Sequence, residues 1–345
     1  MKATKAMILA GGMSTRLYPL TKQVPKPLVP VAGEPISAHI LRWLNSFGYT
    51  DIAINVHYLA EKIFEAFGDG SQYGVKLEYL HEEKLMGSAG ALKPLQSFFG
   101  DDTFVVVGCD DLTDANLEAL VSFHKKRGAL ATIGLVPADE VDQYGVVITD
   151  DDGRIIEFQE KPPKGTERSK LVNTGIYVFE PAIFDRIPAD TFYDFGKNVF
   201  PQLLAEGAAF YGMRLGGAYW RDIGTPGEYR QATADVLAGR VHLRGARTKG
   251  LPSGAHLGPD LHLDGDVRLG EGVTIGRRVT ITGPSVIGDG VHIGDDATIE
   301  SSIVWDGATL GSGTALRNSI VGIGYDVPAG TSLVDRIVAN EPIAS

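Results

Sequence analysis

The stretch LGPDLHLDGDVRLGEGVTIGRRVTITGPSVIGDGVHIGDDATIESSIVW, residues 257–305, decides the architecture of the C-terminal part of the chain. An apolar residue recurs there every six positions: Leu257, Leu263, Leu269, Ile275, Ile281, Ile287, Ile293, Ile299 and Trp305. Four residues later stands a second column of small or branched residues, Leu261, Val267, Val273, Val279, Ser285, Val291, Ala297 and Ile303. One repeat is then a residue short, and the series resumes at Leu310 and Leu316. A six-residue period suits neither an α-helix nor a hairpin sheet, but fits short flat strands joined by tight turns and coiled into a prism. Gly270, Gly276, Gly288 and Gly294 directly follow inward positions, where the backbone turns a corner and glycine's permissive φ is expected to serve. This segment therefore reads as a hexapeptide β-helix, and it accounts for part of an unusual total of 43 glycines.

Composition bounds the rest. The chain has 345 residues, enough for two domains at roughly 150 residues each. Its 32 Lys and Arg against 43 Asp and Glu give a net charge of −11, which argues against a nucleic-acid surface but not against small phosphorylated substrates bound by local cations and backbone N–H groups. No apolar run approaches the roughly 20 residues of a membrane helix. Cys109 is alone, so an internal disulfide and a cysteine-cluster zinc site are excluded. The start, MKATKAMILAGG, does not read as a signal peptide, and a cytoplasmic protein is expected.

The first 240 residues alternate between strand and helix patterns. Strands are expected at 6–9, 52–56, 75–80, 104–107 and 130–136. Helices are expected over 59–67, 88–99, 115–127 and 229–237, with another carrying Ile36, Ile40, Leu41, Leu44 and Phe47 on one face. That order predicts an α/β domain with a mainly parallel sheet, over 1–240, followed by a β-helix domain over 254–335 with Ala238–Ser253 as connector. Ligands in such sheets bind at the carboxyl ends of strands. Trp43, Phe47 and Trp220 read as core, Cys109 as a small buried hydrophobe, and His124 as lying on a solvated helix face.

The polar segments after the strands carry the chemistry. LAGGMST, Leu9 to Thr15, places Gly11 and Gly12 directly after a strand, where backbone can approach a phosphate. Ser14 and Thr15 add donors, Arg16 can fork onto phosphate oxygens, and Lys26 stands between two prolines that stiffen its segment. The loop is neither a P-loop nor a dinucleotide fingerprint. Asp110 follows the strand TFVVVG, and Asp222 lies far along the chain in WRDIGTP. Two carboxylates from distant segments suit Mg²⁺, which takes a few carboxylates plus substrate phosphates. Asp114 reads as the cap of the following helix, and Asp111 as a supporting or solvated group.

The set GGMSTRLYPLT, PKPL, EEKLMGSAGAL, GCDD, FQEKP, NTG and WRDIGTP, with hexapeptide repeats behind it, resembles the sugar-1-phosphate nucleotidyltransferases over nearly the whole chain. Two positions depart from that family's pattern: Ser14 stands where glycine is usual, and Gly108-Cys109-Asp110 replaces Asn-Gly-Asp. The resemblance implies a Rossmann-like nucleotidyltransferase domain and a left-handed β-helix. It implies nucleotide binding by Leu9, Ala10, Gly11, Gly12, Met13, Ser14, Thr15, Glu82, Gly87 and Ser88, and metal binding by Asp110 and Asp222. It further implies sugar-phosphate binding by Gly145, Glu160, Lys161, Asn173, Thr174 and Lys197, with Arg16, Lys26 and Lys161 in the catalytic role. Asn173 followed by Gly175 also reads as an ordinary turn. A carboxylate at Glu82 only accepts hydrogen bonds, which suits guanine better than uracil or thymine. The stretch HEEKLMGSAGAL looks most like guanylyltransferases, whereas DFGKN and WRDIGTP are also similar to ADP-glucose enzymes. The expected reaction joins a nucleoside triphosphate and a hexose 1-phosphate, with Mg²⁺, and GTP with mannose 1-phosphate is the first pair.

Two other classes remain in view. Hexapeptide repeats also build acyltransferases with a histidine base, and His256, His262 and His292 are candidates, but the repeats leave no long loop for an acceptor pocket. A non-catalytic regulatory subunit would not need the full set Arg16, Lys26, Asp110, Lys161 and Asp222. The closing segment from Gly324 reads as a cap on the last coil or an arm to a neighbouring copy in a homo-oligomer, dimer or tetramer.

Overall fold

A computed structural model describes residues 4–243 and 253–341. They form two compact units, one within Met1–Gly12 and Ile40–Trp220, the other within Met13–His39 and Arg221–Ser345. The change of sequence character at 238–253 thus falls inside the second unit. Residues 244–252 of the expected connector lie outside the described residues.

The first unit is built on a nine-stranded sheet. Its strands are β1 (Thr4–Leu9), β2 (Tyr49–Val56), β3 (Lys76–His81), β4 (Phe104–Gly108), β5 (Ala131–Pro137), β6 (Gly145–Thr149), β7 (Ile155–Glu160), β8 (Leu171–Phe179) and β9 (Phe210–Arg214). The order β7-β6-β8-β4-β1-β2-β3, with β5 joining β8 to β9, contains the Rossmann-like run β4-β1-β2-β3, parallel throughout. β8 runs antiparallel to β4, β5 and β6, and β6 and β7 form an antiparallel pair. Val105, Val106 and Val107 are buried on both faces of β4, as a central strand of such a sheet requires. A row of packed rings, Phe179, Phe195, Phe200 and Phe210, with centroids 5.2–5.8 Å apart, anchors the segment after Asp194 to the sheet.

The helices match the apolar spacing with three differences. Helix α1 (Ile36–Ser46) buries Ile36, Ile40, Leu41 and Leu44, and α2 is Ala60–Phe67. The helix expected over 88–99 is broken into Gly87–Gly90, Lys93–Leu95 and Gln96–Phe99, because Pro94 has no N–H and obstructs a continuous helix. Helix α3 (Leu117–Arg127) is capped by Asn116, whose side chain accepts from Ala119 N at 3.0 Å, and not by Asp114. His124 on α3 is fully buried, its ring bonded to Thr132 Oγ1 at 2.8 Å and Glu180 Oε1 at 3.2 Å, so the solvated reading is wrong.

In the second unit, strands from His256–Leu257 to Ile337–Val338 coil into three parallel five-stranded sheets, the left-handed β-helix. Each of the early coils takes 18 residues, His256 pairing with Thr274 and Thr280 with Thr298, whereas later coils take 17. The lost residue is at the turn where Gly283-Pro284 is replaced by Ser301 alone, in the left-handed region at φ 47. Register therefore shifts one residue earlier than the sequence period implied. Val304 pairs with Ile287 and fills the core, while Trp305 falls outside it, in the column of Gly270, Gly288 and Gly322.

That column corrects the reading of the corner glycines. Gly270, Gly276, Gly288 and Gly294 do not have positive φ; a β-carbon there would lie within 2.6 Å of the next coil. At Gly294 it would lie 2.5 Å from Ser312 N. Positive φ occurs two residues later, at Gly272, Arg278, Gly290 and Asp296. Inside, Ser285, Ser302 and Ser319 form a buried ladder in which each hydroxyl accepts the amide 17 residues on, at 3.0–3.2 Å. Leu257 and Leu263, on the first of the described coils, are exposed. The segment from Gly324 adds a further coil through Val327, Leu333 and Val338 instead of capping the previous one. Among the described residues no helix is long and apolar enough to cross a membrane.

Candidate active site

In the first unit the carboxyl ends of β1, β2, β3 and β4 bring together Leu9 to Gly12, Asn55, Glu82 and Gly108 to Asp111. Ala10 N donates to Asn55 Oδ1 at 2.9 Å, and Asn55 Nδ2 donates to Glu82 Oε2 at 2.6 Å. Glu82 Oε1 accepts Met86 N at 3.0 Å, so this buried carboxylate is held by two donors. Gly11 must be glycine: its β-carbon would stand 2.8 Å from both Asn55 Nδ2 and Glu82 Oε2. Gly12 is exposed with nothing near it, leaving its backbone open to a ligand. Asn55 was missed in the sequence, although a polar residue inside the apolar strand IAINV is a usable signal.

Asp110 is half-buried beside Gly108, and Asp111 is buried with Oδ1 accepting the indole N–H of Trp220 at 3.1 Å. Trp220 also donates to Thr174 O at 2.8 Å and is only half-buried, so it supports the site and is not core. Asp114 Oδ1 accepts Tyr219 N at 2.7 Å, which is what that carboxylate does instead of capping.

Glu160, Lys161, Asp194 and Lys197 form a second group. Crowding by protein raises the Glu160 carboxyl above its ordinary range; Asp194 adds to the rise, and Lys161 and Lys197 oppose it. Gly145 lies opposite Glu160 in register, and a β-carbon there would strike Phe158 at 2.6 Å. Lys161 takes φ 45, an uncommon conformation for a side-chain-bearing residue, at the end of β7. Asp194 accepts Gly196 N at 2.9 Å and Lys197 N at 3.2 Å through one oxygen, and Ser88 Oγ at 2.9 Å through the other. Ser88 Oγ in turn accepts Phe195 N at 3.0 Å, so its hydroxyl ties two loops together. Gly87, at φ 78, would place a β-carbon 2.5 Å from Tyr193 O.

Asn173-Thr174-Gly175 is an irregularity in β8, where the register to β5 shifts. Asn173 Oδ1 accepts Gly175 N at 3.0 Å and its amide donates to Tyr177 Oη at 3.0 Å. Thr174 is fully buried and its hydroxyl donates to Gly134 O at 2.7 Å, so its side chain is turned from solvent. Burial pushes the Tyr177 phenol up, and the negative charges of Asp111, Asp194 and Glu160 add to that shift.

In the second unit, Asp222 lies 3.7 Å from both Arg16 Nη2 and Lys26 Nζ. Gly224 N donates to Asp222 Oδ1 at 2.6 Å, and a β-carbon on Gly224 would meet Arg16 at 2.6 Å, so WRDIG is shaped to let this group close. Thr225 caps helix α4 (Pro226–Leu237), accepting Glu228 N at 3.3 Å, with Pro226 at the first helical position. Met13 is exposed, as is Thr15 in a single helical turn, Thr15–Leu17. Ser14, where the resemblance has glycine, adopts φ 53, which gives a physical reason for glycine there and a cost of about 1 kcal/mol for serine. Tyr229, Trp305 and the hairpin at Pro30 continue this unit.

A family model described as nucleotidyl transferase matches residues 5–239. The chain is 39% identical over 319 residues to a UTP–glucose-1-phosphate uridylyltransferase of Synechocystis sp., covering 87% of this chain and 82% of that one. It is 36% identical to a mannose-1-phosphate guanylyltransferase of Mycobacterium tuberculosis, covering 86% and 82%. The chain belongs to the sugar-1-phosphate nucleotidyltransferase family. A solved structure from Bacillus anthracis, described as a glucose-1-phosphate thymidylyltransferase in complex with a sucrose, matches with a TM-score of 0.62 and 27% identity over 73% of this chain and 98% of that one. Asp110 in the first unit and Asp222 in the second each carry a carboxylate, the hard oxygen donor that Mg²⁺ takes. Among the described residues no cluster of three or more His, Cys, Asp or Glu forms a ready-made metal cage. His256, His262 and His292 are exposed on the outside of the β-helix.

Proposed function

We propose that the chain transfers a guanylyl group from GTP to mannose 1-phosphate, giving GDP-mannose and pyrophosphate. The transfer of a nucleoside monophosphate to a sugar 1-phosphate follows from the family. The choice of guanine rests on Glu82, a buried carboxylate held by Asn55 and Met86 N. Ionised, it offers only acceptors, matching the adjacent ring N–H and amino donors of guanine.

In this reading a phosphate oxygen of mannose 1-phosphate attacks the α-phosphorus, the α–β bridging bond breaks, and pyrophosphate carries away the electron pair. The nucleophile is already anionic, so no general base is required, and catalysis consists of alignment and charge neutralisation. Arg16 meets the departing pyrophosphate, Lys26 steadies the α-phosphate, Lys161 pairs with the sugar phosphate, and Glu160 accepts sugar hydroxyls, with Lys197 alongside. Asp110 and Asp222 would hold Mg²⁺, which supplies phosphate charge neutralisation when bound. The protein is read as cytoplasmic and as a homo-oligomer of two or four copies.

The 39% identity to the Synechocystis uridylyltransferase favours a second reading, UTP with glucose 1-phosphate, and ATP and dTTP are variants of it. Pyrophosphate release is measured with Mg²⁺ for GTP, ATP, UTP, dTTP and CTP against mannose, glucose and N-acetylglucosamine 1-phosphates. GTP with mannose 1-phosphate should dominate. Dominance of a glucose pair overturns the guanylyl reading, and silence from folded protein that binds nucleotide indicates a regulatory subunit.

A further inference from the structure

The segment carrying Lys26 ends in a hairpin, Pro30–Val31 paired with Glu34–Pro35. Its turn, Ala32 at φ 50 and Gly33 at φ 83, has the two positive values of a tight hairpin. Ile36 N donates to Val29 O at 2.9 Å, so the intervening Pro30–Pro35 pair falls where an antiparallel ladder makes no cross-strand bonds and carbonyls point outward. Two prolines are tolerated there because no N–H is needed.

The outward Pro30 carbonyl takes its hydrogen bond from Tyr229 Oη, on helix α4, at 2.6 Å. Tyr229 is fully buried, and burial holds its phenol protonated as a donor. Its oxygen also accepts the indole N–H of Trp305 at 2.9 Å, with the two rings edge to face at 6.4 Å. Trp305 is available only because the 17-residue coil moves it out of the β-helix core into a column otherwise held by glycine. Nearby, the Arg268 guanidinium occupies the space a Gly33 side chain would need. Between hairpin and lysine the backbone is a tight turn, Leu28 N donating to Pro25 O at 2.9 Å and Val29 N to Lys26 O at 3.0 Å.

We propose that Trp305 and Tyr229 are positioning residues for Lys26, through which the β-helix fixes where that ammonium stands during nucleotidyl transfer. The chain Trp305, Tyr229, Pro30 and the Pro25–Val29 turn has few free torsions, since three of the six residues 25–30 are prolines. Lys26 at its far end is only 11% exposed and 3.7 Å from Asp222. Loss of the Tyr229 hydroxyl leaves Pro30 O without that donor and loosens the segment, while the aromatic packing remains. This inference rests on the reading of Lys26 as a phosphate-facing group.

Tyr229→Phe and Trp305→Phe are compared with the parent in the full-length protein. Each is expected to lower kcat about five- to thirtyfold with KM changed less than twofold. Combined with Lys26→Ala, Tyr229→Phe should then add less than a twofold loss, because the group it positions is gone. An equal loss in both backgrounds, or unchanged kcat in both single variants, overturns the proposal. A second readout needs no turnover: hydrogen exchange at Leu28 and Val29 should quicken at least tenfold in Tyr229→Phe, and unchanged exchange overturns the link. If the parent transfers nothing from any triphosphate yet exchange quickens, it is the reaction reading that fails, and the catalytic role of the link with it.

Discussion

The Asn55 side-chain amide donates to Glu82 Oε2 at 2.6 Å, and the same amide group receives Ala10 N at its own oxygen. The first strand, the second strand and the end of the third are thus locked around one carboxylate. With Met86 N on its other oxygen, Glu82 faces donors on both sides.

Glu82→Gln tests what that carboxylate reads. A glutamine has only one acceptor oxygen, so its NH₂ must turn toward either Asn55 Nδ2 or Met86 N, and a buried unsatisfied donor costs about 1–3 kcal/mol. The expected result is a kcat/KM for GTP at least tenfold lower, with that for UTP changed less than threefold. A GTP to UTP ratio equal to the parent's would remove Glu82 from base selection.

Asp222→Asn keeps the shape of the Arg16, Lys26 and Asp222 group and an acceptor for Gly224 N, but removes the charge. Turnover should fall at least a hundredfold, with thermal unfolding within about 3 °C of the parent because Arg16 is half exposed and the asparagine oxygen still faces both cations and Gly224 N. Chelation of Mg²⁺ from the parent should abolish pyrophosphate release, and added Mg²⁺ should restore it. Full activity in chelator would dismiss the metal.

Much of this was readable from the sequence, because strand ends, loop glycines and the six-residue period are local patterns. What stayed hidden depends on tertiary partners. Nothing in FHKKR shows that His124 turns inward to Thr132 and Glu180. The hydroxyls of Ser88 and Thr174 look available in sequence, yet each is consumed by a residue distant in the chain. The corner glycines were found at the right places for the wrong reason, since close approach between coils is visible only once the coils are stacked. Trp305 was misplaced by one residue because a period cannot say at which turn a residue is lost.

Glu160 ties pH to binding. Its folded-state carboxyl is raised by desolvation, so between the ordinary glutamate value of 4.5 and the raised value the folded protein holds more protons than the unfolded one. The sign follows: stability is favoured below that window and declines as pH rises through it. Glu160 is exposed, so solvent screens most of this effect, and Glu160→Gln should leave Tm at pH 7 unchanged or barely raised while raising KM for the sugar phosphate. In the parent, that KM should also rise as pH falls through the raised value, and this acid limb should vanish in Glu160→Gln. A variant that is less stable at pH 7 would refute the desolvation account.

Two glycines of one coil separate the reasons for glycine in the β-helix. Gly294 has ordinary φ, but its β-carbon would lie 2.5 Å from Ser312 N and 2.8 Å from Ser312 Cα, backbone that cannot swing aside. Gly290 has φ 64 and nothing within 4 Å. Gly294→Ala must push two coils apart and should cost about 1–3 kcal/mol, as overpacking does. Gly290→Asn meets open space in a conformation that asparagine tolerates, as Asn318 does at φ 48, and should cost under about 1 kcal/mol. Denaturant unfolding of the β-helix transition measures both. The reverse order of cost would mean that backbone conformation, and not the spacing of the coils, selects glycine at these corners.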